Sequence, residues 1–480
     1  MSNSPFTAEQ RKILTLTLVP LFMSLLSVSI VNVVLTAMQN DLRASETELQ
    51  WVLTGYALAF GVLLVAAGRA GDVYGRGRLF VAGVVLFGLG SLISGLAPDP
   101  LIVNIARVVM GLGSGFLSPQ IIGLIQQFFQ GAHRGKAFGI LGGVVGISVA
   151  IGPVLGGVFV GVFGDGWGWR AAFLVNVPIC VYTIAMAKPW LPASAWRPVD
   201  ASVTVTTAPI DVTGKPKADL DPVGTLLFAL ATLLVMLPFV ERNVSPLIWL
   251  CLPAAGLTVL LWVLWERRYQ LRGNTPMVDL ALFRTRSFAN GTLIISIFFM
   301  GSTSLWIILA LYMQQGLGES ALAAGLVGLP SAILSAITSP LVGPHVLRWG
   351  RPLVIAGLAM VVSGLVLTAF VVWAQQELGV SVWWLLATLG LVGAGTGVVV
   401  TPNQTLSLVD VPLSYAGAAG GVLQTGQRVG TSVGIAAITG VAFAVHGATG
   451  NWSTAFQVSL VAIIGLVFFA LLLSLSLIHI

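Results

Sequence analysis

The sequence predicts an all-α integral membrane protein with fourteen transmembrane helices, on three observations. First, 56% of the 480 residues are hydrophobic and only 8% are charged, with a mean hydropathy of +0.96, a balance that water-soluble domains do not show. Second, apolar runs of about 20 residues recur along the chain, and this length crosses a bilayer as a helix. Third, these runs do not alternate polar with apolar residues, which excludes a transmembrane β-barrel.

The fourteen spans follow from these runs in order. The first, 13–38, is too long for the core of a cleaved signal peptide. The other predicted spans are 50–68, 79–97, 101–128, 135–160, 170–190, 222–240, 246–265, 288–315, 321–346, 352–373, 382–408, 416–444 and 452–477. They predict a six-helix bundle, a cytoplasmic linker, an inserted helix pair, a second cytoplasmic linker and another six-helix bundle, at 1–191, 192–221, 222–265, 266–287 and 288–480.

The distribution of Lys and Arg predicts which side each loop faces. Of the 23 basic residues, only Arg43 and Arg242 fall in the loops assigned to the outer side. Cytoplasmic loops carry the excess of basic residues, so both termini and both linkers are expected in the cytoplasm, and the protein in the cytoplasmic membrane. The net charge of +6 is scattered over short loops, which indicates orientation rather than nucleic-acid binding.

The most charged short run is GRAGDVYGRGRL, residues 68–79. It predicts a tight loop between two spans, in which glycines let the helix ends approach and Asp72 faces the basic residues after it. The alternative is a basic turn that only marks the cytoplasmic side. A weaker repeat of this Gly-to-Arg pattern, GPHVLRWGR at 343–351, suggests that the chain has two related halves.

Two features inside predicted spans are costly or distinctive. Arg107 lies about six residues into the fourth span, where a lone cation costs roughly 2.5–3.5 kcal/mol. It should therefore face a protein interior or an aqueous cavity, unless it snorkels as an anchor.

In the fifth span, the run GPVLGG at 152–157 places a helix-kinking proline between glycines that allow close packing. Its candidate residues are Gly152, Pro153, Gly156 and Gly157.

Polar and aromatic residues within spans are candidates for a substrate cavity. Gln424 and Arg428 are four residues apart and share a helix face. Interhelical hydrogen bonding is the alternative for the amides, and packing or lipid contact is the alternative for the aromatic side chain. The candidates are Ser27, Asn32, Trp306, Asn403, Gln404, Gln424, Gln427 and Arg428.

These motifs resemble those of the major facilitator superfamily, and most of the chain resembles its fourteen-helix drug:proton antiporter branch. The 68–79 run is similar to the family's loop between the second and third helices, with Val73 where Arg or Lys is usual. The setting of Arg107 resembles a motif whose Arg is implicated in coupling, and GPVLGG resembles the motif that marks exporters. The residues matching the loop motif, with a gating role by resemblance, are Gly68, Asp72, Gly75, Arg76 and Arg78.

The resemblance implies a secondary active transporter that exports a small lipophilic molecule or drug by alternating access, coupled to protons. Ser27, however, stands where the branch carries an Asp, and all 17 acidic residues fall in loops or near span ends. The alternative is therefore a weakly coupled or uncoupled exporter of a neutral or anionic metabolite or lipid. Any coupling proton would then use a carboxylate near a membrane face, with Asp41 and Asp72 as candidates.

Other classes of function have less support in the sequence. A membrane enzyme needs convergent catalytic groups, but the four histidines lie at span ends or in loops. A sensor would carry a sizeable soluble module, and ATP-driven transport would need a phosphate-binding Gly-rich loop. We expect no cofactor or metal. The expected partners are a small lipophilic substrate, protons and membrane lipids, with no nucleic acid, and the protein is expected to be a monomer.

Overall fold

The computed structural model describes residues 5–199, 219–240 and 245–476, and all regular secondary structure in these ranges is helical. Most of the predicted first linker, 200–218, lies outside the described residues. The α-helices are α1 (Ala8–Leu42), α2 (Glu46–Tyr74), α3 (Arg76–Leu96), α4 (Pro100–Phe128), α5 (Gly131–Leu174), α6 (Asn176–Trp190), α7 (Pro222–Val240), α8 (Cys251–Leu271), α9 (Arg286–Ser302), α10 (Ser304–Leu311), α11 (Ala321–Val342), α12 (Val346–Trp349), α13 (Arg351–Leu378), α14 (Leu385–Ser407), α15 (Ala416–Thr449) and α16 (Trp452–Leu475).

Local sequence explains where several helices begin. At α2, the Ser45 hydroxyl accepts a hydrogen bond from the Glu48 N–H, and the Glu48 carboxylate accepts one from the Ser45 N–H. This capping box satisfies donors that have no partner within the helix. Asp99 caps α4 through the N–H of Ile102, and Pro100 occupies the first helical position, where its missing N–H costs nothing.

Thirteen helical segments of the described chain are long and apolar enough to cross a membrane. One of them, Gly131–Trp190, has 60 residues. A straight helix of that length would span about 90 Å, three times the hydrocarbon core. Its backbone leaves the helical conformation at Gly164, with φ 71° and ψ 178°. The count of fourteen spans stays a prediction, and this break is where a fourteenth would separate.

Two predicted connections are shorter in the structure than the sequence suggests. The predicted loop at 68–79 is wrong in extent, because α2 continues to Tyr74 and α3 begins at Arg76. Only Gly75 separates them, with a φ of 101° that favours glycine. The predicted second linker, 266–287, begins inside α8, which continues to Leu271. Both differences arise because charged side chains near helix ends are accommodated without ending the helix.

The described chain forms two compact units that do not follow chain order. The first comprises Met1–Gln130, Ile151–Thr285 and Asp410–Thr425, and the second comprises Gly131–Ala150, Arg286–Val409 and Gly426–Ile480. The predicted domain boundaries remain predictions, since order along the chain and close packing are different properties.

Within each unit, helices approach through glycines. In the first unit, a Cβ added to Gly113 of α4 would lie 2.5 Å from the backbone nitrogen of Phe87 in α3. In the second, a Cβ added to Gly393 of α14 would lie 2.0 Å from the carbonyl oxygen of Ser331 in α11. No side chain fits at such distances, so much of the glycine content reflects backbone contact between helices.

We expect Gly113→Ala to destabilise the protein by about 1–3 kcal/mol, because α3 and α4 must move apart. Thermal unfolding of the purified protein in detergent measures this. Gly256→Ala in α8 is the matched control, since an added Cβ there meets nothing within 4 Å and alanine favours the helix. Equal melting temperatures for the two variants would contradict the packing account.

Candidate functional site

The Asp72 carboxylate lies at the N-terminus of α15, within the first unit. Asp72 is 3% exposed. Its two oxygens accept hydrogen bonds from the Gly417 N–H at 3.0 and 3.1 Å and from the Ala418 N–H at 3.1 Å. The first N–H groups of a helix lack partners within it and carry partial positive charge. Asp72 therefore holds the start of α15 against the end of α2.

Arg76 neutralises Asp72 and links it to two further backbone segments. Its side chain is fully buried, and its guanidinium lies 2.7 Å from the Asp72 carboxylate. The remaining N–H groups donate to the carbonyl oxygens of Gly123, at 2.8 Å, and Leu413, at 2.6 Å, and to the Gln127 side chain at 3.0 Å. A buried arginine of this kind is stabilised because its donors are paired.

Glycines make this contact possible. A Cβ added to Gly68 would lie 2.2 Å from the Gly417 carbonyl oxygen, so the two backbones touch. The structure thus brings together four residues of the motif, Gly68, Asp72, Gly75 and Arg76, whereas the Arg78 side chain is exposed. Val73, which departs from the family pattern, is half-buried.

Arg107 is buried, as the cost of a cation in a membrane predicts, with 1% of its surface exposed. Its Nε donates to the Val52 carbonyl oxygen at 2.8 Å, and its Nη1 donates to the Ser27 hydroxyl at 3.1 Å. The guanidinium also lies over the Tyr56 ring, 4.2 Å from its centroid. The residue that replaces the branch's Asp, Ser27, is therefore a direct partner of Arg107. Among the described residues, no carboxylate lies within 4.0 Å of Arg107.

The GPVLGG run packs against α1 on one side only. A Cβ added to Gly152 would lie 2.9 Å from the Ile30 backbone nitrogen, and one added to Gly156 would lie 3.1 Å from the Ile30 side chain. A Cβ added to Gly157 would meet nothing within 4 Å. Pro153 lies inside α5. The two adjacent glycines of the motif therefore have different surroundings.

The other predicted cavity residues are divided between the units, and their roles remain predictions. In the first unit, Asn32 is exposed and its amide donates to Val28 of its own helix, and Gln424 is half-buried. In the second, the buried Asn403 donates to the Gly291 carbonyl oxygen at 2.9 Å. The rest lie in the second unit: Gln404 is buried, Gln427 and Arg428 are half-buried, and Trp306 is 38% exposed.

Sequence reasoning missed a group of buried polar residues where α7 begins and α8 ends. Asp221 is fully buried and Glu266 is 1% exposed. Arg69, 6% exposed, donates to the Asp219 carbonyl oxygen at 3.2 Å and lies over the Tyr415 ring. The available signal was Glu266, an acidic residue within the last turns of an apolar helix and four residues after Trp262.

We expect Arg76→Gln to lower the free energy of unfolding by about 3 kcal/mol, because it leaves Asp72 buried without its cation. Arg78→Gln, an exposed change in the same motif, should alter stability by less than about 0.5 kcal/mol. Thermal unfolding in detergent compares the two. A smaller loss for Arg76→Gln than for Arg78→Gln would contradict the structure of this site.

Comparison with known proteins identifies the family. The sequence model described as Major Facilitator Superfamily matches residues 18–435 and 291–479. The Probable actinorhodin transporter of Streptomyces coelicolor is 33% identical over 429 residues, which cover 88% of this chain and 71% of that protein. Multidrug resistance protein Stp of Mycobacterium tuberculosis is 31% identical over 437 residues, which cover 89% and 75%.

A solved structure agrees at the level of the fold. The human organic anion transporter MFSD10 superposes with a TM-score of 0.69 at 13% identity, over 97% of this chain and 99% of that one. The predictions of the family, and of a transporter rather than an enzyme, are confirmed by these matches. The chain belongs to the major facilitator superfamily.

Proposed function

We propose that this protein exports a small lipophilic molecule across the cytoplasmic membrane by alternating access, in exchange for protons, with both termini in the cytoplasm. The names of its relatives, an actinorhodin transporter and a multidrug resistance protein, support a drug-like cargo. The GPVLGG motif supports export, and the distribution of basic residues supports the orientation.

The contact between Arg107 and Ser27 carries the proposal about the charge of the cargo. The guanidinium is held by a carbonyl oxygen, a hydroxyl and an aromatic face, none of which cancels its charge. At an effective dielectric constant of about 20, two unit charges 4 Å apart interact by about 4 kcal/mol. An uncompensated arginine therefore repels a cation and attracts an anion. The preferred cargo is neutral, zwitterionic or anionic.

A second candidate function is weakly coupled or uncoupled export of a neutral or anionic metabolite or lipid. The hydrogen bonds and ion pairs of two carboxylates favour it. Asp41 accepts from the Trp169 indole at 3.0 Å and pairs with Arg170. Asp72 accepts from two backbone N–H groups and pairs with Arg76. A proton would have to displace a fixed donor at either site.

We expect Ser27→Asp to place a carboxylate beside Arg107 and to raise transport of a lipophilic cation at least ten-fold, equivalent to about 1.4 kcal/mol. Uptake of tetraphenylphosphonium into inside-out vesicles measures this, with the neutral dye Nile red for comparison. Ser27→Asn is the control, because it changes size without adding charge. Wild-type protein that already prefers the cation, or a Ser27→Asp variant that behaves as wild type, would refute the proposed cargo.

Alternating access requires α1 and α5 to keep their close contact, so we expect Gly152→Ala to slow transport about ten-fold or more while substrate binding persists. The added methyl group would collide with the α1 backbone. Gly157→Ala, at the open position of the same motif, should transport normally. Rates in liposomes and binding in detergent separate the two steps. The role of this motif fails if both variants transport equally well.

A further inference from the structure

Two buried carboxyl groups face each other at the start of α7 and the end of α8. One Asp221 oxygen, Oδ1, accepts from the Gly224 N–H at 2.9 Å and from the Trp265 indole at 2.7 Å. The other, Oδ2, has no hydrogen-bond partner among the described residues, and neither do the two oxygens of Glu266. Three buried acceptor atoms are therefore unpaired, and so is the indole N–H of Trp262, one turn before Glu266.

Two of these unpaired oxygens lie beside Gly224. A Cβ added to Gly224 would lie 2.3 Å from Asp221 Oδ2 and 2.9 Å from Glu266 Oε1. The Oδ2 atom of Asp221 and the Oε1 atom of Glu266 therefore border the same small space. The missing side chain of Gly224 leaves the space into which both groups point.

Two ionised carboxylates in this position would be very unfavourable. Burying an isolated charge costs several kcal/mol, and two like charges in contact add their repulsion. A single shared proton removes one charge and supplies the missing donor, as it does in other buried carboxyl pairs. One proton between Asp221 and Glu266 is the arrangement that the packing favours.

A metal ion fits this site less well. The third nearby carboxylate, Asp219, is already engaged: its oxygens accept from the Tyr269 hydroxyl at 2.8 Å and from the Thr275 N–H at 3.2 Å. No group of three or more acidic, histidine or cysteine side chains in the described part of the chain is arranged to hold a metal.

One cation and several acidic groups lie near the pair. Arg69 of α2 is the nearby cation, and its Nε has no partner among the described residues. The guanidinium lies 5.1 Å from the centre of the Tyr415 ring. The charged and titratable groups that face the pair and its immediate neighbours are Arg69, Asp72, Asp219, Tyr269, Asp279 and Tyr415.

Arg69 also connects the pair to the site at α15. It lies three residues before Asp72, on the same face of α2, and it covers Tyr415, which directly precedes α15. Loss or gain of the proton would change the charge near Tyr415, the residue that Arg69 covers and that directly precedes α15. Asp219 is half-buried and accepts a hydrogen bond from the N–H of Asp221.

We propose that Asp221 and Glu266 form a proton-binding site that takes one proton from water and returns it to water during each export cycle. This inference rests on the proposed proton-coupled export and names the group that carries the proton. It differs from the sequence-based candidates, Asp41 and Asp72, because their oxygens are occupied by fixed donors.

Infrared spectroscopy of the purified full-length protein tests the site itself. The wild type should show the carbonyl stretch of a protonated carboxylic acid at neutral pH, and Glu266→Gln and Asp221→Asn should each remove it, because an amide supplies the missing donor. Glu266→Asp should keep it, and Glu377→Gln, an exposed change, is the control. If neither amide variant removes such a band, the pair holds no proton and the inference is wrong.

Transport in liposomes that contain a trapped pH dye tests the role of the site. Glu266→Gln should reduce Nile red-driven proton movement at least ten-fold, while exchange of Nile red without a pH gradient stays within about two-fold of wild type. If Glu266→Gln moves protons at the wild-type rate, the inference is overturned. A wild-type protein that moves no protons would refute the proposed coupling instead. The infrared result would then still decide whether Asp221 and Glu266 bind a proton.

Discussion

The hydrogen bonds from the first turn of α15 to the Asp72 carboxylate set the arrangement of the first unit. They join residues 345 positions apart in the chain, and they require the backbones of Gly68 and Gly417 to touch. Arg76 compensates the buried charge and ties the same point to α4 and to the segment before α15. A charge at a helix N-terminus is stabilised only while the two remain in contact, so this interaction depends on the close approach of α2 and α15.

Buried charged side chains of the first unit have three different kinds of surroundings. Asp72 and Arg76 neutralise each other, and the donors of Arg76 are satisfied by carbonyl oxygens. Arg107 keeps its charge and is held by neutral groups. Asp221 and Glu266 face each other and are neutralised best by a proton. The first arrangement is a contact between helices, the second is the basis of our proposal about the charge of the cargo, and the third is the basis of our proposal of a proton-binding site.

The α7 and α8 helices place two buried carboxyl groups in the first unit. The α7 helix packs against α2, the helix that carries Arg69 and Asp72. Its cap, Asp221, is one half of the acidic pair, and α8 supplies the other half. A proton bound there lies beside the contact that holds α15, whereas the usual acidic residue of the first helix is absent at Ser27.

The sequence by itself determined that the chain crosses a membrane many times and where most helices lie, because a bilayer demands long apolar helices with internally bonded backbones. The predicted span 222–240 has the bounds of α7, Pro222–Val240. Sequence also singled out Asp72, Arg76 and Arg107 as unusual charges in an apolar chain.

Only the tertiary structure decided which partners these residues take. Hydropathy sums over neighbours along the chain, so it carries no information about the contact of Asp72 with α15 or of Arg107 with Ser27. Gly152 and Gly157 are the same residue in one motif, yet only Gly152 touches another backbone. Asp221 and Glu266 are near predicted span ends and resemble solvated residues in sequence. Their burial arises from the packing of α7 on α8, which brings two acidic groups together across 45 positions of the chain and away from water.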